Sequence, residues 1–213
     1  MNTFDIHCTA CPRLAKFLAG LRQQYPHYHN LPVAPFGDPG ARLLIVGLAP
    51  GMHGANASGR PFTGDHAGIL LYQTLHKFGF ADRPQSLHKD DGLTLLDCRI
   101  TNAVKCLPPQ NAGGQRGKQL QSFYPRRAGG PATGCGDHGT GQHCPYAVLK
   151  TLGFKLAAYK FAHNALHELP QGYYLLDTYH CSRYNTNTRR LTTEMFEAVF
   201  ATARDLLAHR ADL

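Results

Sequence analysis

The chain has 213 residues, with 22 Lys and Arg against 14 Asp and Glu, giving a formal charge of +8. Its length suits one domain of ordinary size, and 43% hydrophobic residues against 17% charged supply enough apolar material for a core, which excludes disorder throughout. No run approaches the roughly 18 apolar residues of a bilayer span, and the N-terminus lacks the basic-then-apolar layout of a secretory leader, so the cytoplasm is the expected compartment and no membrane partner is expected.

Seven cysteines is an odd number, and in a reducing compartment they are more often free, catalytic or metal-binding than paired. Cys8-x-x-Cys11 opens the chain; its spacing suits zinc, an iron–sulfur cluster or a redox dithiol, the last weakened by the lack of a preceding strand. Residues 14–21 (LAKFLAGL) carry helical apolar spacing behind Pro12, a residue favoured in a first turn. Residues 25–41 hold four prolines and two glycines and read as an extended connector.

Residues 42–46 (RLLIV) form an apolar run ending at Gly47, as a buried parallel strand does, and 67–78 have helical periodicity. Residues 93–100 (LTLLDCRI) read as a second strand, 173–179 (YYLLDTY) as another, and 193–209 as an amphipathic helix with Met195, Phe196, Val199, Phe200, Ala203, Leu206 and Leu207 on one face. Strands alternating with helices, each strand emptying into a polar, glycine-rich loop, indicate an α/β sheet with its site at the strands' C-terminal ends.

One stretch breaks the pattern. Residues 112–146 contain nine glycines, a single Leu and no Val, Ile, Met or Glu, so they cannot bury much apolar surface and are expected to be irregular. A loop closing over a ligand is one explanation. The sharp compositional change at both edges favours the other, a stretch read out of frame between two compensating indels, because a strand plus a helix would fit its length.

Three loops carry chemistry. The first, residues 47–68 (GLAPGMHGANASGRPFTGDHAG), combines glycines that let a ligand approach the backbone with prolines that stiffen the rest. It does not meet the GxGxxG spacing of a dinucleotide turn. The second, Thr101-Asn102-Ala103-Val104-Lys105-Cys106, places an amide fork at a strand end, suited to reading the edge of a nucleobase or an amide; a turn residue is the plainer reading of Asn102. The third, residues 179–190 (YHCSRYNTNTRR), mixes arginines, small polar groups and an aromatic, as a loop touching phosphates and wedging a duplex would, or as a solvated basic loop would.

Together these three motifs, in this order, resemble the uracil-DNA glycosylase superfamily, and within it the iron–sulfur family 5 (type b) enzymes. The likeness runs from Cys8 to about Asn111 and again from Ala147 to about Leu207. It implies a three-layer α/β/α sandwich around a central parallel four-stranded sheet, as a single domain acting as a monomer on uracil-containing DNA in the nucleoid. Carried over by residue, Gly47 and Ala49 lie against the base, Phe62 stacks on it, Asn102 bonds its Watson–Crick edge, His180 donates to the departing base, and Asp65 activates or positions water. An N-cap is the plainer role for Asp65. His53 and Asn56 are second-tier candidates. Arg183, Tyr184, Arg189 and Arg190 would engage DNA.

The resemblance also implies a [4Fe–4S] cluster on Cys8, Cys11 and Cys106, but the window for a fourth cysteine holds Ser122 and Phe123, with Cys135 and Cys144 as distant substitutes. Cys98 reads as core and Cys181 as part of the DNA-facing loop. Lys105 and Lys155 are the nearest candidates for a Schiff-base residue, and neither sits in a motif position assigned to chemistry. The expected activity is therefore hydrolysis of the base–sugar bond without strand cleavage, on uracil and other deaminated bases. The alternatives are an inactive iron–sulfur or zinc nucleic-acid-binding protein of the same fold and, more remotely, a small redox protein using Cys8 and Cys11.

Overall fold

A computed structural model describes residues 4–109, 132–136 and 143–209. Helix α1 (Pro12–Gln24) begins with proline, whose missing N–H falls where a helix has no partner for it, and buries Leu14, Leu18 and Leu21 on one side. The connector that follows contributes one very short strand, β1 (Phe36–Gly37). Strand β2 (Leu43–Gly47) is apolar on both faces because both are covered. Leu43 and Ile45 enter one core cluster and Leu44 and Val46 the other, as the two-residue period of a strand requires.

Beyond β2 come the short helix α2 (Ala55–Ser58) and α3 (His66–Lys77), then strand β3 (Cys98–Asn102). Strand β4 (Ala132–Gly136) and helix α4 (His143–Thr151) precede β5 (Leu166–Leu169), β6 (Tyr173–Tyr179), α5 (Arg183–Asn187) and α6 (Thr193–Ala208). On one face of the sheet, Leu71 and Leu75 of α3 pack with Phe196, Val199 and Phe200 of α6 over Ile45, Ile100 and Leu176. On the other, Val148 and Leu149 of α4 cover Val46 and Leu175.

The sheet departs from the parallel four-stranded one expected. It has six strands in the order β1-β3-β2-β4-β6-β5 and is mixed. A three-stranded mixed part, with β1 antiparallel to β3 and β3 parallel to β2, is linked through β4 to a two-stranded antiparallel part, β6 with β5. The edge strands escape an apolar-pattern reading because one has two residues and the other, LHEL, has one fully buried side chain. Residues 112–146 are also not irregular throughout, since β4 and the start of α4 fall inside them. Backbone pairing needs no apolar side chains, so the ATGCG of β4 leaves no mark on hydropathy. The rest of that stretch, and with it the frame-shift reading, lies outside the described residues. The strand expected at 93–100 starts only at Cys98; Leu93 and Leu95 are buried but irregular, with one bridge from Leu95 to Ala81. Among the described residues no helix is long and apolar enough to cross a membrane.

A polar strap joins residues 83–92 to the segment before α3. Arg60, 4% exposed, donates to Asp91 Oδ1 (2.8 Å), Ser86 Oγ (2.9 Å) and the Lys89 carbonyl (2.6 Å), and its guanidinium lies 4.2 Å over the Phe36 ring. Burial alone would raise the Asp91 carboxyl, but the Leu93 amide, the Arg60 guanidinium and the Leu87 amide outweigh it and hold the carboxyl well below the carboxylate range. A carboxyl depressed in the folded state stabilises the fold above its unfolded value near 3.8, and that share is lost as pH falls below it. Asp91→Ala leaves Arg60 buried without its anion. We expect it to lower the unfolding free energy by about 3–5 kcal/mol in urea titrations at pH 7, with a shallower further loss below about pH 4 than the unaltered protein shows.

Candidate active site

The C-terminal ends of β2, β3 and β6 bring Gly47, Asn102 and, one residue past β6, His180 to the same end of the sheet. A cavity of about 260 Å³ opens there, lined by Leu48, Ala49, Pro50, Gly51, Ala55, Phe62, Asp65, Asn102, Pro108 and His180. This is a little under the roughly 300–1,000 Å³ of sites for drug-sized ligands, a size that suits a single base. Of the residues expected to contact the base, Ala49, Phe62, Asn102 and His180 line it, and so does Asp65.

Gly47 acts from behind the wall. It sits opposite Asn102 in the β2–β3 register, and a Cβ there would strike Asn102 Oδ1 and come within 2.9 Å of two Phe62 ring carbons. The ladder continues past the strands, with Ala103 N–H donating to Gly47 O (2.7 Å) and Val104 N–H to Leu48 O (2.9 Å), so the Asn102 side chain leaves a fixed backbone. Lys105 holds that backbone from beneath. Its ammonium donates to Thr101 Oγ1 and to the Asn102 carbonyl (2.6 Å); burial, then the charge of Arg99, lowers its pKa to about 7. Neither Lys105 nor the exposed Lys155 lines the cavity.

Phe62 is buried and its backbone is left-handed, φ 54°. Non-glycine residues adopt that region at a cost of order 1–3 kcal/mol, so the neighbours must impose it. They do so from both sides: Tyr72 Oη donates to the Pro61 carbonyl (2.8 Å), Ser58 Oγ donates to the Thr63 carbonyl (3.0 Å), and the Thr63 and Ser86 hydroxyls share a 2.7 Å bond. The Phe62 carbonyl presses so closely on Gly68 that any side chain there would overlap it. The Phe62 ring stacks against the His180 imidazole, centroids 5.8 Å apart and planes 25° from parallel.

Asp65 is the N-cap of α3. Its Oδ1 accepts from Gly68 N–H at 3.0 Å, while Oδ2 faces Gly51 and Gly54; a Cβ on Gly54 would lie 2.6 Å from that oxygen. Asp65 thus both caps α3 and lines the cavity. His180 is anchored through its carbonyl, which accepts from the buried Asn185 Nδ2 (2.8 Å), and the next residue, Cys181, is buried with its thiol donating to Ala67 O (3.3 Å). Cys181 therefore braces the loop against α3 instead of facing outward. Sequence reasoning missed the supporting roles of Asn185, Lys105 and Gly68; only a glycine in a helix's first turn, where helix formers are preferred, was a signal.

Of the second-tier residues, Asn56 is wholly buried and donates to Asn30 Oδ1 (2.8 Å), away from the cavity lining, whereas His53 is exposed beside it. Arg183, Tyr184 and Arg189 are exposed; Tyr184 is 57% exposed on α5. Arg190 lies 4.8 Å over the Tyr179 ring, half-buried.

The cluster expectation does not survive. Burial first, then Cys8, raises the Cys11 thiol; burial, then Cys11 and Cys8, raises Cys106 to about 11, so the three share one neighbourhood. Yet among the described residues no three His, Cys, Asp or Glu side chains are disposed to hold a metal ion. The described residues do not fit a [4Fe–4S] group. Ser122, near which a fourth ligand was sought, lies outside the described residues.

The family model described as the Uracil DNA glycosylase superfamily matches residues 34–204, which contain all three loops and the cavity. Among curated proteins, the chain is similar to the type-5 uracil-DNA glycosylase of Thermus thermophilus, 40% identical over 205 residues covering 93% of each chain. It is 34% identical over 213 residues to the type-5 enzyme of Pyrobaculum aerophilum (93% of this chain, 88% of that one), and 35% identical over 218 residues to that of Mycobacterium tuberculosis (97% and 80%). The chain belongs to the type-5 uracil-DNA glycosylase family.

Two glycines separate packing from propensity. Gly68→Ala drives a methyl into the Phe62 carbonyl and is expected to destabilise by about 1–3 kcal/mol. Gly20→Ala, on an open face of α1 with nothing within 4 Å, is expected to stabilise by about 0.5–1 kcal/mol. Denaturation midpoints of the two variants check both signs.

Proposed function

We infer that the protein removes uracil from DNA by hydrolysing the bond between base and sugar, and that it acts as a monomer on chromosomal DNA. The convergence of an aromatic ring, an amide, an imidazole and a carboxylate on one base-sized cavity carries this reading. A base inside a duplex is out of reach, so the target nucleotide must leave the stack at a cost of a few kcal/mol, which stacking on Phe62 offsets in part. The Asn102 amide, with one donor and one acceptor, then bonds the Watson–Crick edge.

Cleavage of the N-glycosidic bond sends its electron pair to the base and leaves positive charge on the sugar. An N–H of His180 aimed at the departing uracil stabilises the first charge, and the Asp65 carboxylate the second. Asp65 Oδ2, the oxygen not committed to the helix cap, orients the attacking water and takes its proton as the oxygen bonds to the sugar. Oδ1, held by Gly68 N–H, keeps the carboxylate from turning away. Neither buried Lys105 nor exposed Lys155 borders the cavity, which supports hydrolysis without a covalent amine intermediate. On the binding side, Arg183 and Arg189 reach phosphates and Tyr184 fills the gap left by the flipped base.

Asp65→Asn, Asn102→Ala and His180→Ala are each expected to slow single-turnover uracil release from a duplex by about 10²–10³, while affinity for abasic product DNA changes far less. Equal release from all variants would remove these roles. Tight DNA binding with no release by the unaltered protein would instead identify an inactive binding module.

A further inference from the structure

His53 lies on the loop whose neighbours Pro50, Gly51 and Ala55 line the cavity, yet its own side chain is exposed and outside the lining. An exposed imidazole is ordinarily free to turn. This one is not: Tyr28 Oη and His53 Nδ1 share a 3.0 Å hydrogen bond, and the ring meets Tyr25 and Tyr28 edge-on at 6.2 and 6.0 Å between centroids. The two tyrosines are stacked at 5.0 Å, and Tyr25 packs on Leu18, Leu21 and Leu107, so the brace is rooted in the core.

With the Tyr28 hydroxyl as donor to Nδ1, the ring proton is on Nε2; in the protonated ring Nε2 also carries hydrogen. In both of these states an N–H is held in place on a loop whose neighbouring residues line the cavity. Ordering an exposed side chain opposes folding entropically, and a donor already held in place suits a partner outside the fold. What passes the rim of a cavity that receives a flipped nucleotide is that nucleotide's own strand, whose outward groups are phosphates.

We propose that His53, braced by Tyr28, donates from Nε2 to a backbone phosphate of the strand carrying the flipped uracil, and so serves DNA docking and not hydrolysis. The proposal rests on the glycosylase reading above. A hydrogen bond to a charged acceptor is worth roughly tenfold or more in affinity, and its loss falls on the half-saturating DNA concentration more than on the rate at saturation.

The test replaces, one at a time, the phosphates around a single deoxyuridine in a duplex with neutral methylphosphonates, and measures uracil release by the unaltered protein, His53→Ala and Tyr28→Phe. The expected result is one position at which neutralisation raises the half-saturating concentration about tenfold for the unaltered protein and less than twofold for His53→Ala, with Tyr28→Phe between them. Equal responses at every position would overturn the proposal, as would a His53→Ala defect confined to the rate at saturation, which would make His53 part of the hydrolytic machinery. Failure of the unaltered protein to release uracil from the unmodified duplex would instead overturn the glycosylase reading itself.

Discussion

The left-handed backbone at Phe62 is the constraint around which the site is arranged. A residue with a large side chain does not hold φ near 54° unless its surroundings leave no alternative, and here the peptide on each side is tied to a different part of the fold. Tyr72 of α3 takes the carbonyl before it, Ser58 of α2 the carbonyl of Thr63 after it, and the Arg60–Asp91 pair locks the approach. The ring is thereby turned into the space that Gly47 leaves empty, against Asn102 and His180. The ends of three strands meet around that one ring.

The supporting groups follow a common scheme in which Asn102, His180 and Asp65 are each held by a buried polar partner. Lys105 holds the Asn102 carbonyl, Asn185 the His180 carbonyl, and Gly68 N–H an oxygen of Asp65 itself. Side chains held this way reach their positions before any ligand arrives, so little orientation remains to be lost when charge develops on the base and sugar.

Much of this was legible in the sequence, for definite reasons. The strand at 173–179 and the C-terminal helix were placed within a residue or so because both carry a strong apolar pattern. That loops after parallel strands carry a site was legible in the residues, whereas Ala49, Phe62, Asp65 and His180, which line the cavity with Asn102, were singled out only through the resemblance of the three loops to the glycosylase superfamily. Hydropathy is silent about what only backbone geometry decides, so β1, β5 and the glycine-rich β4 were missed and the sheet was taken as smaller and wholly parallel. The cysteine expectation failed differently. Spacing says which thiols can approach one another, whereas a metal site also needs a complete and correctly directed set, and among the described residues Cys8, Cys11 and Cys106 do not belong to one.

The mixed sheet has a consequence for how the molecule behaves among its own copies. An open sheet ends in two rows of unpaired peptide groups, each a template for another chain's strand and hence for aggregation. Here one end is the two-residue β1, followed at once by Asp38, Pro39 and Gly40, and the other is the four-residue β5, carrying His167 and Glu168 and stopped by Pro170. His167 is turned inward to Asp177, 3.2 Å away. Both borders are too short and too polar to recruit a neighbour, so copies crowded along a polyanion can lie side by side without their sheets joining.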